Sequence, residues 1–338
     1  MKAAVLHTIG EPLVIEERDV PVPGPGEVLI RVAAAGVCHS DLHQQDGSVP
    51  PIRIPIVLGH ENAGIVESLG PGVVGTKVGE RVVVYGGWGC GRCRFCLGGQ
   101  EQLCSTGSWS GLGPDGGYAE YMLVPSARHL IPVGDLDLVQ AAALADAGVT
   151  PYRAVKKALH LLQPGTTALV LGAGGLGQFG IQYLKLLTEA HVIVVETSPE
   201  RREIARSLGA DTVIDGAGPD LPEAVRAAAS EFGVTAVFDF VGIDTTMQLG
   251  LGALERQGLL VLVGLAGGSL PVSFFGMASE AVVTTSNWGS RNDLAEVIAL
   301  ARTGALTTSC ESYPLTKINE VFDLLKEGRI NGRAVLIP

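Results

Sequence analysis

Four of the six cysteines in this 338-residue chain, Cys90, Cys93, Cys96 and Cys104, fall in one short stretch. Separations of three, three and eight residues let four thiolates converge on a single ion within one loop. Zinc takes such an all-sulfur tetrahedral cage readily, and four protein ligands leave no position for substrate. The chemistry implied is a structural zinc that orders a lobe over residues 88–106. Reduced thiols or two disulfides are the alternatives, and disulfides need an oxidising compartment that nothing in the sequence indicates.

A second chemistry is carried by Gly172-Ala173-Gly174-Gly175-Leu176-Gly177, a G-x-G-x-x-G. It follows an apolar run and opens a helical segment, the context in which glycines let backbone N–H groups approach a pyrophosphate at a helix N-terminus. The next strand-like run ends at Glu196, 24 residues after Gly172. A carboxylate there accepts from both adenosine ribose hydroxyls and repels a 2′-phosphate, so NAD is expected in preference to NADP. Arg201 and Arg202 are cations that can hold a 2′-phosphate and keep NADP open. Arg201, Val241 and Val263 are counted with Gly172, Gly174, Gly175, Leu176, Gly177 and Glu196 as cofactor-binding candidates. The plain alternative is a glycine turn that packs a helix on a sheet.

Two further groups stand out, Cys38-His39-Ser40-Asp41 and Gly59-His60-Glu61. A catalytic zinc takes three protein ligands and leaves one position open. Taken alone, isolated Cys and His residues are more often ordinary core or surface positions.

The elements that must position these residues are of two kinds. The first half reads as β-rich, with strands at Val28–Val32, Gly64–Leu69 and Arg81–Val84 between Gly- and Pro-rich turns, suggesting a small barrel-like body. Near residue 150 the pattern changes. Thr150 caps and Pro151 opens a helix that continues from Tyr152 to Leu162. Beyond it, apolar runs without alternation (Ala168–Leu171, Val192–Val195, Ala236–Phe240 and Leu259–Val263) are strands buried on both faces. Helical segments such as Glu200–Leu208 separate them, giving a doubly wound parallel sheet. The expected division is a catalytic zinc domain from 1–150 and 290–338, closed by a strand at Ala334–Ile337, and a dinucleotide domain from 151–289.

The chain is 46% hydrophobic and 17% charged, enough to bury two cores, and its net charge of −11 argues against nucleic acid and anionic membrane as partners. The chain has no apolar run of membrane-spanning length, and the N-terminus has no apolar segment with a cleavage site, so the cytoplasm is expected.

Over essentially its full length the sequence resembles the zinc-dependent medium-chain alcohol dehydrogenases. The resemblance is carried by Gly59-His60-Glu61, Gly64, Gly70, Val73, Gly117-Tyr118-Ala119-Glu120-Tyr121, the four-cysteine stretch and Gly172–Gly177. It extends to bacterial secondary-alcohol dehydrogenases through the segment Leu144–Tyr152. It implies a GroES-like β-rich catalytic domain beside a Rossmann domain, with NAD and two zinc ions per chain. The catalytic zinc ligands it implies are Cys38, His60 and Asp146, with Glu61 as a candidate fourth. Many relatives place a Cys where Asp146 stands; one thiolate and one carboxylate still give a formally neutral site. Asp41 would orient the His60 ring.

The resemblance also implies the reaction. The metal acts as a Lewis acid on an alcohol, hydride passes to the nicotinamide, and the proton leaves by way of Ser40, the nicotinamide ribose and His43. Trp88, Trp109 and Trp288 are candidates for the substrate pocket, and Arg333 for the neighbourhood of the pyrophosphate. Secondary alcohols and ketones are the expected substrates, and a homotetramer the expected assembly, with a dimer as the other reading. Relatives pair coenzyme domains through the region of Leu259–Val263 and Gly264–Gly267. The competing function within the same fold is a polyol or amino-alcohol dehydrogenase. A non-enzymatic NAD- and zinc-binding protein would have no need of Cys38, His60, Asp146 and Ser40 together, and a zinc-free quinone or enoyl reductase would need neither zinc site.

Overall fold

The computed structural model describes residues 1–338, which divide into two compact units: Met1–Val149 with Gly289–Pro338, and Thr150–Trp288.

The first unit is β-rich. Its largest sheet runs in the order Leu130–Pro132, Arg81–Val84, Glu61–Leu69, Val28–Val37, Arg333–Ile337, Cys310–Pro314, with Tyr121–Val124 also paired to Val28–Val37. Val28–Val37 is twice the length read from sequence. Its second half, Ala33-Ala34-Ala35-Gly36, is poor in β-propensity, and tertiary packing overrides that weakness. The small residues are needed because a Cβ at Gly36 would overlap the Glu61 carboxylate. Register brings Gly36 opposite Glu61 on one side and Val335 on the other, so the residues at 36, 61 and 333 become neighbours. The core of this unit includes Leu6, Ile30, Ile56, Leu58, Tyr118, Met122 and Phe322.

One helical expectation is corrected here. Thr150-Pro151 does not start a helix. The chain is already helical at Leu138–Ala143, widens into a π turn at Leu144–Gly148 and continues as Val149–Ala158. The apolar run Ala141–Ala145 is fully buried, which holds the helix through this region. Pro151 lacks an N–H, and a wide turn immediately before it accommodates the missing intrahelical bond.

The second unit is a six-stranded parallel sheet flanked by helices. Numbered along the chain, its strands are Thr167–Leu171, His191–Glu196, Thr212–Asp215, Val234–Asp239, Leu254–Leu262 and Val282–Thr285, in spatial order 3-2-1-4-5-6. This is the doubly wound arrangement expected from the unbroken apolar runs. The strands that escaped sequence reading, Thr212–Asp215 and Val282–Thr285, are the two edges. They are partly exposed and polar, and lack the continuous apolar character of buried strands. No helix is long and apolar enough to cross a membrane.

Candidate metal centres and dinucleotide loop

Cys38 follows directly on the strand Val28–Val37, and His60 directly precedes Glu61–Leu69. Gly59, before His60, has φ +98°, and a Cβ there would run into the Tyr118 ring. Asp146 lies in the π turn. These elements bring Cys38 Sγ and His60 Nε2 each to 3.5 Å from the same Asp146 oxygen. With Glu61, their ligand atoms all lie within 4.8 Å of one another. A thiolate, an imidazole and a carboxylate are donors that zinc takes together, so the residues fit the metal.

Asp41 stands behind this group, fully buried. Its Oδ1 lies 3.2 Å from His60 Nδ1, and its Oδ2 accepts from the Cys38 N–H at 2.9 Å and the Tyr118 hydroxyl at 2.7 Å. An acceptor at Nδ1 keeps the proton there and leaves the Nε2 lone pair for a metal. Burial opposes a charged His60 ring, but Asp41 and Asp146 outweigh it and hold its proton affinity well above that of ordinary histidine. Tyr118 was visible in sequence only as part of a family segment, with no role attached.

Glu61 is fully buried, and burial pushes its carboxyl up to about 7 against the opposing pull of Arg333. The Arg333 Nε donates to Glu61 at 2.8 Å, a second guanidinium nitrogen bonds the other carboxylate oxygen, and the same nitrogen lies 3.4 Å from Asp146. Arg333, expected beside the cofactor pyrophosphate, therefore has its guanidinium committed to two carboxylates of this cluster. Glu61 belongs to the cluster and is at the same time Arg333's partner. Ser40 Oγ lies 3.7 Å from Cys38 Sγ, and His43 Nδ1 lies 3.3 Å from Ser48 Oγ. Both sit on the helix His39–Asp46 at a spacing of three, which places them on one face.

The cysteine stretch closes on itself. Cys93 and Cys96 sulfurs lie 3.5 Å apart, Cys90 and Cys96 4.0 Å, and all four are within 4.8 Å of one another. Sulfurs of a zinc tetrahedron with bonds of about 2.3 Å stand roughly 3.8 Å apart, so the cage fits zinc. No disulfide joins any of the four. Backbone N–H groups of Arg92 and Cys93 pull Cys90 down to about 6.

Beside the lobe lies a group that sequence reasoning missed. Arg128 donates to the Gly89 carbonyl at 2.9 Å and lies 3.4 Å from Glu101, while buried His129 lies 3.7 Å from the same carboxylate. Burial, then the charges of Arg128 and Arg291, push His129 down to about 3. Trp88, offered from sequence as a pocket wall, is instead a core residue: its indole donates to the Tyr85 carbonyl and packs 6.1 Å from the His129 ring. Trp109 is half-buried in a short pairing with Gly87, and Trp288 is buried with φ +48°.

In the second unit, Gly172 turns sharply after its strand with φ +87°. A Cβ at Gly177 would overlap the Gly172 carbonyl, whereas one at Gly174, the N-cap of the helix Gly175–Leu187, would meet nothing. That open side is the cradle a pyrophosphate needs. Glu196 ends the adjacent strand. Its carboxylate accepts from the Ala173 N–H at 2.8 Å and the Ser198 N–H at 2.9 Å, which fixes it beside the loop with lone pairs to spare. Arg202 is engaged with the Thr197 carbonyl at 2.8 Å and Asp215 at 2.9 Å. Arg201 follows in the helix capped by Ser198. Val241 and Val263 lie just past the carboxyl ends of two sheet strands, and Val241 packs against the Gly172 turn.

Residues 24–135 match the alcohol dehydrogenase GroES-like domain, and residues 175–303 match the zinc-binding dehydrogenase domain. An NAD-dependent alcohol dehydrogenase of Saccharolobus solfataricus is 38% identical over 100% of both chains. A D-arabinose 1-dehydrogenase (NADP(+)) of the same organism is also 38% identical, over 100% of this chain and 97% of that one. The crystal structure of an alcohol dehydrogenase from Aeropyrum pernix superposes with a TM-score of 0.94 at 38% identity, covering 100% of each chain.

Two outcomes follow from these environments. Arg333→Leu leaves Glu61 and Asp146 without their buried cation and is expected to cost about 3–5 kcal/mol. Breaking the exposed Arg31–Glu67 pair, at 3.2 Å, by Arg31→Leu should cost less than about 1 kcal/mol. Denaturant unfolding of both variants with zinc present checks this, and equal shifts would contradict it. For His129, the folded value near 3 lies below the unfolded value of about 6.5. As pH falls, the unfolded chain takes the proton first, so this residue removes stability progressively from about pH 6.5 to 3 and has no effect above. His129→Gln should flatten that part of a stability–pH curve; an unchanged slope would refute the assignment.

Proposed function

The chain belongs to the zinc-dependent medium-chain alcohol dehydrogenase family and is an NAD-dependent alcohol dehydrogenase, and from that premise we propose how its residues divide the work. The reading rests above all on the approach of Cys38 Sγ and His60 Nε2 to one oxygen of Asp146, each at 3.5 Å, in a buried pocket. Cys38, His60 and Asp146 hold a catalytic zinc, with Glu61 in reserve beside Arg333. Cys90, Cys93, Cys96 and Cys104 hold a structural one, giving two per chain. When bound, the catalytic ion polarises the oxygen of an alcohol or carbonyl, and NAD(H) carries the hydride.

The protein groups do the rest. Asp41 fixes the His60 ring. Ser40 would accept the proton of the substrate hydroxyl while passing its own on, by way of the nicotinamide ribose when NAD is bound, to His43 on the same helix face, which would release a proton towards water. The open turn at Gly172–Gly177 receives the pyrophosphate, and Glu196 accepts from the ribose hydroxyls. Arg202, already engaged, is poorly placed to hold a 2′-phosphate, which supports NAD over NADP.

The substrates proposed are secondary alcohols and ketones, with Trp109 and Trp288 retained as substrate-contacting candidates. The D-arabinose relative keeps polyols as the alternative to be tested. The catalytic domain is taken as 1–150 with 290–338, and the NAD-binding domain as 151–289. A homotetramer is supported by the exposed apolar residues Leu265, Val272, Phe274, Phe275 and Val282 near the sheet edge Val282–Thr285, a surface that invites self-association. The cytoplasm is the compartment in which four such thiols persist reduced.

Asp146→Ala should lower bound zinc from two equivalents towards one and collapse turnover, while NAD titration of the variant stays near wild type. Wild-type zinc content with wild-type turnover would place the third ligand elsewhere. Glu196→Ser should weaken NAD and admit NADP. Loss of a charge-assisted acceptor is worth about 1.5–3 kcal/mol, so the NAD/NADP preference should shift by about 10- to 150-fold. Steady-state rates with both cofactors against primary alcohols, secondary alcohols and polyols give the measurement; a wild type that already prefers NADP would overturn the role of Glu196.

A further inference from the structure

Tyr118 is fully buried, and its position is over-determined. Its backbone N–H donates to the Leu58 carbonyl at 3.0 Å, and its carbonyl accepts from the Ala4 N–H at 2.8 Å. Its ring lies where a Cβ on Gly59 would stand 2.5 Å from Cδ1, and it meets Phe322 edge-on at 6.5 Å. The hydroxyl at the end of this fixed ring has two acceptors in reach: Asp41 Oδ2 at 2.7 Å and the Gly36 carbonyl at 3.2 Å. A phenol carries one proton, and the shorter, charge-assisted bond to the carboxylate takes it. Burial first, then the charge of Asp41, keep that phenol protonated and therefore a donor.

Asp41 touches two ligands of the catalytic set at once. It accepts from the Cys38 N–H at 2.9 Å through Oδ2 and faces His60 Nδ1 through Oδ1. Rotation of this carboxylate would disturb both ligands. Resting on the assignment of Cys38, His60 and Asp146 to zinc, we infer that Tyr118 is a positioning residue for the catalytic metal: its hydroxyl locks the Asp41 carboxylate in the orientation that aims His60 Nε2 and Cys38 at the ion. The strand end at Val37, the Gly59 turn and the Gly116–Gly117 turn are thereby joined at one point.

Tyr118→Phe removes only the oxygen and keeps the ring. Zinc release from the variant to a chelating dye should show one of its two equivalents leaving about tenfold or more faster than in wild type, with the other unchanged, since partners behind a metal ligand are worth about 10- to 100-fold in affinity. The absorption band of the cobalt-substituted catalytic site should shift as the imidazole reorients. Phe322→Leu is the packing control: it loosens the ring without touching the hydroxyl and should leave both release rates near wild type. Wild-type release and an unmoved cobalt band in Tyr118→Phe would overturn the inference, as would equal acceleration in Phe322→Leu. A wild type that holds zinc only at the cysteine lobe would instead overturn the assignment of the catalytic ligands on which the inference rests.

Discussion

The first unit is organised around the problem of burying several negative groups in one place. Cys38, Asp41, Glu61 and Asp146 meet in a pocket where Asp41 and Glu61 are wholly shielded from water. Removing a single carboxylate from water costs several kcal/mol unless it is paired, so the arrangement persists only if each charge is answered. Arg333 answers Glu61 and part of Asp146. The Cys38 N–H, the His60 ring and Tyr118 answer Asp41. Cys38 Sγ faces the Asp146 carboxylate across 3.5 Å, the distance at which a thiol donates to a carboxylate oxygen. The same sulfur, nitrogen and oxygen donors are a set that a zinc ion would accept.

The backbone is shaped to allow this. Gly36 is small so that Glu61 can turn inward, and Gly59 has the positive φ and bare surface that let Tyr118 pass behind His60. The C-terminal strand brings Arg333 into register beside the strand that ends at Cys38. The π turn at Leu144–Gly148 widens the helix where Asp146 must project, a location typical of such bulges. Each is a local departure from regular structure that serves a position in the cluster.

These facts decide what was legible in the sequence. The doubly wound sheet was readable because its signals are local: unbroken apolar runs, a glycine turn and a carboxylate at the next strand end all lie within a few dozen residues. Its polar edge strands were not, because an edge needs no buried run. The cysteine lobe was readable for the same local reason. The candidate metal cluster was not readable from spacing. Asp146 lies 108 residues from Cys38, and Arg333 lies 272 from Glu61, so only resemblance connected the ligands, and it assigned Arg333 to the cofactor. His129 gave no signal at all, since its depressed proton affinity arises from burial and from cations that only folding brings near. Trp88 misled because one residue type serves equally as core filler and as pocket wall.

Glu196 shows why a local motif can be read with confidence and still be understood incompletely. Sequence gave it one task, to meet the ribose. Its oxygens also accept from Ala173 and Ser198, so the same carboxylate braces the glycine turn from below. Bracing removes the freedom that the carboxylate would otherwise lose when it takes up a ligand, so its contribution to cofactor affinity is reduced less by ordering. Under the proposed role it would couple cofactor choice to loop geometry: a residue substituted to admit a 2′-phosphate must replace an acceptor for two peptide N–H groups as well as remove a charge. In both units a candidate ligand-binding side chain is fixed through peptide amides, Glu196 by those of Ala173 and Ser198 and Asp41 by that of Cys38. Preorganisation of this kind lets a short motif act with precision on a glycine-rich chain.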